Sequence, residues 1–112
     1  MAQQGVDMYK LTTPTLKLSL PESVDLSEAV NVYVTLSDKK NNEILTKSGD
    51  QVSIDENVIS VDYSQEETKA FPDEVQAQVN WIYNDGGLIK RDATTIVKIR
   101  VYKNLLNEVK EA

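Results

Sequence analysis

Val30-Asn31-Val32-Tyr33-Val34-Thr35-Leu36 is the stretch that decides the fold, because apolar and polar residues alternate along its whole length. Successive side chains of an extended strand point to opposite faces, so this spacing places the four aliphatic side chains on one face. The alternation therefore predicts a β-strand with one face in the core and the other towards solvent.

The same period of two recurs through most of the chain, between short clusters of turn-forming residues. Further strands are predicted at 15–20, 43–47, 52–54, 58–63, 75–83 and 88–102, with a bulge or break near Asp92. Asn84-Asp85-Gly86-Gly87 is typical of a hairpin turn, since these residue types accept a positive φ. We predict an all-β, immunoglobulin-like antiparallel β-sandwich of about seven strands, with a closed barrel as the alternative.

Two segments depart from this pattern. Ser64-Gln65-Glu66-Glu67 matches a capping box, so residues 64–70 are predicted to form a short helical turn, which Phe71 pins to the core. After position 103 the period changes, and Leu105, Leu106 and Val109 favour a short C-terminal helix. The predicted division is a flexible N-terminus at 1–8, a β-sandwich domain at 9–103 and a C-terminal helical tail at 104–112.

Composition excludes several classes of function. The 112 residues contain neither cysteine nor histidine, so they offer no disulfide framework, no thiolate metal site and no imidazole base. A net charge of −6 disfavours binding to a phosphate backbone. No signal peptide or membrane-spanning run is visible, so we predict a protein that is not secreted by a signal peptide and that makes no nucleic-acid or membrane contacts.

The side chains that could carry chemistry have simpler explanations. Glu66 and Glu67 suit the first turn of a helix, and carboxylates adjacent on a strand point to opposite faces. Oxygen ligands for calcium occur at 38–43, but the spacing is not that of an EF-hand, and a solvated turn is the favoured interpretation. Trp81 and Tyr83 could stack on a sugar, although aromatic residues alternating with valines are more often core. We predict no enzyme, no catalytic residue, no cofactor and no metal.

Three stretches carry a resemblance to a known family. They are residues 9–15 leading to Leu20-Pro21, residues 59–68 followed by Phe71, and residues 75–79 followed by a glycine hairpin and a threonine-rich strand. Together they resemble small β-sandwich proteins of phage and prophage tail and baseplate gene clusters in Gram-positive bacteria, including the N-terminal domain of baseplate upper proteins. The resemblance spans roughly residues 9–106. It implies attachment or assembly, with other phage structural proteins as partners, and a location in the virion or in the cytoplasm of the bacterial host.

The leading hypothesis is therefore a phage or prophage structural protein that acts by protein–protein contact. Leu105, Leu106 and Val109 are its predicted assembly contacts, because a terminal apolar segment either docks on its own domain or joins two chains as a homo-oligomer. One alternative is a small acidic inhibitor of a host protein, which requires carboxylates concentrated on one face. Another is a carbohydrate-binding module, which requires exposed rings at Tyr33, Trp81 or Tyr83.

Overall fold

The computed structural model describes residues 6–94 and 96–111, and these form two β-sheets packed face to face. The strands are β1 (Val6–Tyr9), β2 (Thr15–Ser19), β3 (Ala29–Ser37), β4 (Glu43–Ser48), β5 (Val52–Asp55), β6 (Val58–Asp62), β7 (Glu74–Asp85), β8 (Leu88–Ala93) and β9 (Val97–Tyr102). A 3₁₀ turn, η1 (Gly49–Gln51), joins β4 to β5, and the helix α1 (Gln65–Lys69) joins β6 to β7. The predicted all-β sandwich is confirmed.

The larger sheet has the order β1-β9-β7-β3-β4, and β8 pairs with the outer half of β7. The smaller sheet has the order β2-β6-β5. No ladder between described strands joins the two sheets, so the closed barrel is wrong. The sheets are mostly antiparallel, as expected from short connections, but β1 runs parallel to β9, with Val6 opposite Ile99 and Tyr9 opposite Tyr102.

The core lies between the sheets and follows the period of two. Alternate residues of β2 and of β7 from Val75 to Trp81 are buried, and Val34, Ile59 and Ile99 are fully enclosed. Val30 is an exception to the predicted apolar face, because 70% of it is exposed. A register shift between Ala29 and Asn31 turns it away from the core, as β-bulges do.

The N-terminal boundary differs from the prediction. Residues 6–8 belong to β1, where Met8 is buried, so the strands of the sandwich begin before the predicted boundary at residue 9. Residues 1–5 lie outside the described residues. The parallel ladder with β9 holds β1 in place, and a segment of only four residues is too short for its alternation to identify a strand.

The predicted long strand at 88–102 is divided into β8 and β9. The division falls just after Ala93, slightly beyond the expected position near Asp92. Thr94 ends the first part: its N–H donates to the Val79 carbonyl at 2.9 Å, and its hydroxyl accepts from the Val79 N–H at 3.1 Å. These two bonds use the backbone N–H and carbonyl of Val79, so β9 pairs with β7 only from Val97 onward.

The helical turn at 64–70 forms as predicted. The Ser64 hydroxyl accepts from the Glu67 N–H at 3.1 Å, and the Glu67 carboxylate accepts from the Ser64 N–H at 2.8 Å. This reciprocal capping box satisfies two backbone donors that a helix start leaves without partners. Phe71 follows, is 2% exposed, and packs edge-on against Tyr63 with 5.8 Å between the ring centroids.

The predicted C-terminal helix is wrong, because residues 104–111 contain no helical turn. Asn104 donates from its side chain to the Lys10 carbonyl at 3.0 Å and accepts from the Leu106 N–H at 3.0 Å. The backbone of Lys110 exchanges two hydrogen bonds with the Gln65 amide, at 2.7 and 2.9 Å. These contacts hold the tail in an irregular path, and so short a helix has little stability of its own.

Candidate interaction surfaces

One exposed surface feature is the hairpin that we call the arm, defined as the end of β7 from Ile82 onward together with β8. Ile82 and Tyr83 of the arm also pair with β3. Among the described strands β8 pairs with β7 alone, and all six of its residues are exposed. Gly86 and Gly87 form the turn between Asp85 and Leu88, with φ values of +61° and +89°. Two consecutive residues with positive φ are typical of a type I′ turn, whose twist matches that of the two flanking strands. Glycine adopts such φ values readily, which explains the glycine pair.

The tip of the arm exposes aliphatic side chains to solvent. Leu88 is 65% exposed and Ile89 is 68% exposed, and as neighbours on a strand they point to opposite faces of the arm. An ion pair between Lys90 and Asp85, 2.9 Å apart, crosses the hairpin beside them. Exposed aliphatic residues at the tip of a hairpin are suited to contact with another protein.

A second exposed apolar feature lies at the opposite end of the larger sheet. Tyr9 and Tyr102 face each other across the β1–β9 ladder, with ring centroids 5.3 Å apart and planes tilted by 33°. They are 54% and 37% exposed. The sequence predictions missed this pair, because parallel pairing of the two chain ends is not visible from the spacing of the residues.

The predicted assembly contacts lie on the surface but share no helical face. Leu105 is 94% exposed, Leu106 is 55% exposed and Val109 is 36% exposed, all within the irregular tail. The tail is anchored by the bonds from Asn104 and Lys110 that hold it near Lys10 and Gln65. That these residues contact another chain stays a prediction.

The rings considered for sugar stacking do not form a platform. Trp81 is only 7% exposed and belongs to the core. Tyr33 and Tyr83 are half-buried. Tyr33 lies opposite Asn80, whereas Tyr83 lies opposite Lys90. Because Asn80 and Tyr83 are three residues apart on β7, the two tyrosines lie on opposite faces of the larger sheet. A carbohydrate-binding module built on these three rings is therefore disfavoured.

The carboxylates are distributed over the molecule. Asp38 caps its own turn, accepting from the N–H groups of Lys40 and Asn42 at 2.8 and 2.9 Å, and these bonds account for the segment considered for calcium. Asp62 lies at the end of the smaller sheet, and Asp85 lies on the arm. Within residues 6–94 and 96–111, no three His, Cys, Asp or Glu side chains converge as a metal site would require. This distribution also argues against an inhibitor with one acidic face.

A polar network closes one end of the sandwich. The Lys47 ammonium, on β4, contacts the Glu67 carboxylate at 2.9 Å and the Asp62 carbonyl at 2.8 Å. It also lies 5.0 Å from the centre of the Tyr63 ring. Burial, aided by the nearby charge of Glu67, raises the pKa of the Tyr63 hydroxyl. The network ties the edge of the larger sheet to the helix that follows the smaller one.

The charge of Glu67 should make stability depend on pH. Partial burial raises its pKa, but hydrogen bonds from Ser64 and Lys47 outweigh this, and the net pKa lies below the ordinary value of 4.5. The charged form therefore stabilises the fold above that value, and the contribution is lost as pH falls through the lowered pKa.

We expect the urea midpoint of the wild-type chain to fall more steeply between about pH 5 and about pH 3 than that of Glu67→Gln. Asp25 and Asp38 also have lowered pKa values, but both proteins keep them, so the difference in slope reports Glu67. Equal slopes in the two proteins would contradict this assignment.

Comparison with known proteins identifies a similar fold. No protein-family model matches the chain, and no curated protein matches it. Among the solved structures that match is the N-terminal domain of phage TP901-1 ORF48, with a TM-score of 0.61 at 13% sequence identity. The match covers 88% of this chain and 85% of that one, so the two chains share the fold over nearly their whole length.

Proposed function

We propose that the chain is a structural module of a phage or prophage tail baseplate, and that it attaches to other virion proteins by surface contact. The observation that carries the proposal is the fold likeness to a domain of a phage protein, which extends over 88% of this chain. The sequence resemblance to baseplate upper proteins supports the same role. The mode of attachment is argued from the surfaces that the fold presents.

Those surfaces suit attachment better than catalysis. The arm presents Leu88 and Ile89 on β8, which among the described strands pairs with β7 alone, so the outer edge of β8 is open to a partner. Apolar side chains of this kind, surrounded by charged residues such as Asp85 and Lys90, resemble the centre and rim of a protein interface. We infer that the chain performs no chemistry of its own and acts by holding other proteins together.

The arm gives a direct test. A Leu88→Ser/Ile89→Ser variant should bind its virion partner about tenfold or more weakly, because two central apolar contacts are removed. Its thermal unfolding should match that of the wild type, since both side chains are mostly exposed. Binding is measured by calorimetry against the purified tail and baseplate proteins encoded in the same gene cluster.

Ile54→Ser is the matched control, because Ile54 is 46% exposed but lies on β5 of the smaller sheet. It should leave the affinity unchanged. If the arm variant binds as tightly as the wild type, the arm is not the attachment surface. If the wild type binds none of these proteins, the proposed function is wrong.

A further inference from the structure

The outer edge of β8 carries backbone groups that point away from β7. The Thr94 N–H donates to the Val79 carbonyl at 2.9 Å, so the chain bonds towards β7 just after the strand ends. The bonded residues of an antiparallel ladder alternate, so Asp92 and Lys90 also bond towards β7. The N–H and C=O groups of the residues between them, such as Arg91, therefore point to the outer edge, where no described strand pairs with β8.

The three charged side chains of β8 are divided between the two faces of the arm. Lys90 and Asp92 are two residues apart on an exposed strand, so they share one face. Arg91 points to the other face, where its Nε donates to the Asn80 side-chain oxygen at 3.1 Å. Because Asn80 belongs to β7, this bond draws the guanidinium away from the outer edge.

The order of these charges makes the edge complementary to a second copy of itself. When Arg91 lies opposite Arg91 of an antiparallel second copy, Lys90 lies opposite Asp92 of that copy, and Asp92 lies opposite its Lys90. Opposite charges then meet twice on one face. The alternation of outward groups allows the register to shift only by two residues. Such a shift would place Lys90 opposite Lys90, or Asp92 opposite Asp92.

The geometry of the ladder favours the same register. Lys90 and Asp92 bond towards their own β7, so between the copies they would form the non-hydrogen-bonded pairs, whose side chains approach most closely. The two Arg91 residues would form a hydrogen-bonded pair, whose side chains are farther apart. The opposite charges are therefore the close ones, and the bond to Asn80 separates the like charges further.

The charged side chains also have capacity for a second partner. The Lys90 Nζ contacts the Asp85 carboxylate at 2.9 Å, and an ammonium group has three N–H donors. Asp92 accepts a hydrogen bond from Tyr83, and a carboxylate has about four acceptor sites. Contacts within the arm therefore leave both groups able to bind across the edge.

We propose that two copies of this chain pair antiparallel through residues 89–93 of β8, with Arg91 at the two-fold axis. Ile89 then lies opposite Ala93 of the second copy at each end of the ladder, and the larger sheets of both copies become continuous. Standard interfaces bury about 1,600 Å², and so short a ladder buries less, so we expect a dimer that depends on protein concentration. This inference goes beyond the proposed function and requires no virion partner.

Charge reversal tests the pairing and its register in the full-length chain. Sedimentation equilibrium of the wild type should show monomer and dimer in exchange. Lys90→Glu and Asp92→Lys each replace two attractive pairs with two repulsive ones, so each variant alone should dimerise about tenfold or more weakly. A mixture of the two variants restores opposite charges at both pairs, and its heterodimer should form within about threefold of the wild-type affinity.

The mixture separates contacts between copies from effects within one copy. Lys90→Glu also removes the ion pair with Asp85, and mixing does not restore it, so recovered affinity reports the pairing of two edges. Lys98→Glu is the matched control, because Lys98 is exposed on β9 and the change in net charge is the same. It should dimerise like the wild type. Circular dichroism checks that each variant is folded.

Three results would overturn the proposal. A wild type that is monomeric at every concentration at which it stays soluble excludes the pairing, and the attachment function stands. If the wild type dimerises and the two charge-reversed variants dimerise equally well, the contact lies elsewhere, for example in the tail at Leu105 and Leu106. If both variants are weakened but their mixture recovers no affinity, Lys90 and Asp92 do not meet between copies.

Discussion

Replacing Phe71 with alanine should lower the free energy of unfolding by about 3–5 kcal/mol, the usual cost of removing a buried aromatic side chain. Phe71 is 2% exposed and packs edge-on against Tyr63, with 5.8 Å between the ring centroids. It follows α1 directly, so its loss also releases the helix from the core. Urea denaturation with a two-state fit measures the change.

Phe71→Leu is the matched control for this prediction. Leucine keeps most of the buried apolar volume and loses only the ring contact, so the expected loss is less than about 2 kcal/mol. Since domains of this size are stable by about 5–15 kcal/mol in total, Phe71→Ala should leave a marginally folded chain. If Phe71→Ala costs less than Phe71→Leu, the side chain does not anchor the helix in the way described here.

Replacing Glu67 with alanine should have the second largest effect, a loss of about 2–3 kcal/mol. The carboxylate accepts from the Ser64 N–H at 2.8 Å and from the Lys47 ammonium at 2.9 Å, so one substitution removes the capping box and an ion pair. The Lys47 side chain is only 12% exposed, so water replaces the lost partner incompletely. Urea denaturation at pH 7 measures the loss.

Glu67→Gln separates the two contributions. Glutamine is also accepted at this position of a capping box, so it keeps the bond from Ser64 and removes only the charge. We expect it to cost about 1 kcal/mol, and a double-mutant cycle with Lys47→Met should show coupling between the two positions. Additive effects of Glu67→Gln and Lys47→Met would contradict an ion pair that contributes to stability.

The parts of the fold that the sequence predicts correctly are those governed by local chemistry. The alternation at 30–36 and at 75–83 identifies strands, because a strand with one buried face has an apolar residue at every second position. The Ser64–Glu67 pattern identifies the helix start, because both capping bonds form between residues three apart. The Gly86-Gly87 pair identifies the hairpin, because both positions require positive φ.

The parts that the sequence does not predict depend on contacts between distant residues. β1 is a strand because β9 pairs with it, and nothing within Val6–Tyr9 shows that partner. The tail has spacing that suits a helix, but Asn104 and Lys110 bond to Lys10 and Gln65, and these bonds fix another path. The division between β8 and β9 depends on the bonds between Thr94 and Val79.

The central claim, that the chain is a structural component of a phage baseplate, is tested most directly by locating the protein itself. Particles of the phage whose genome encodes the chain are purified, and their proteins are quantified by mass spectrometry. The claim predicts that the chain is present in several copies per particle, and that deleting its gene leaves particles with an incomplete baseplate. Absence of the chain from intact, infectious particles would contradict it.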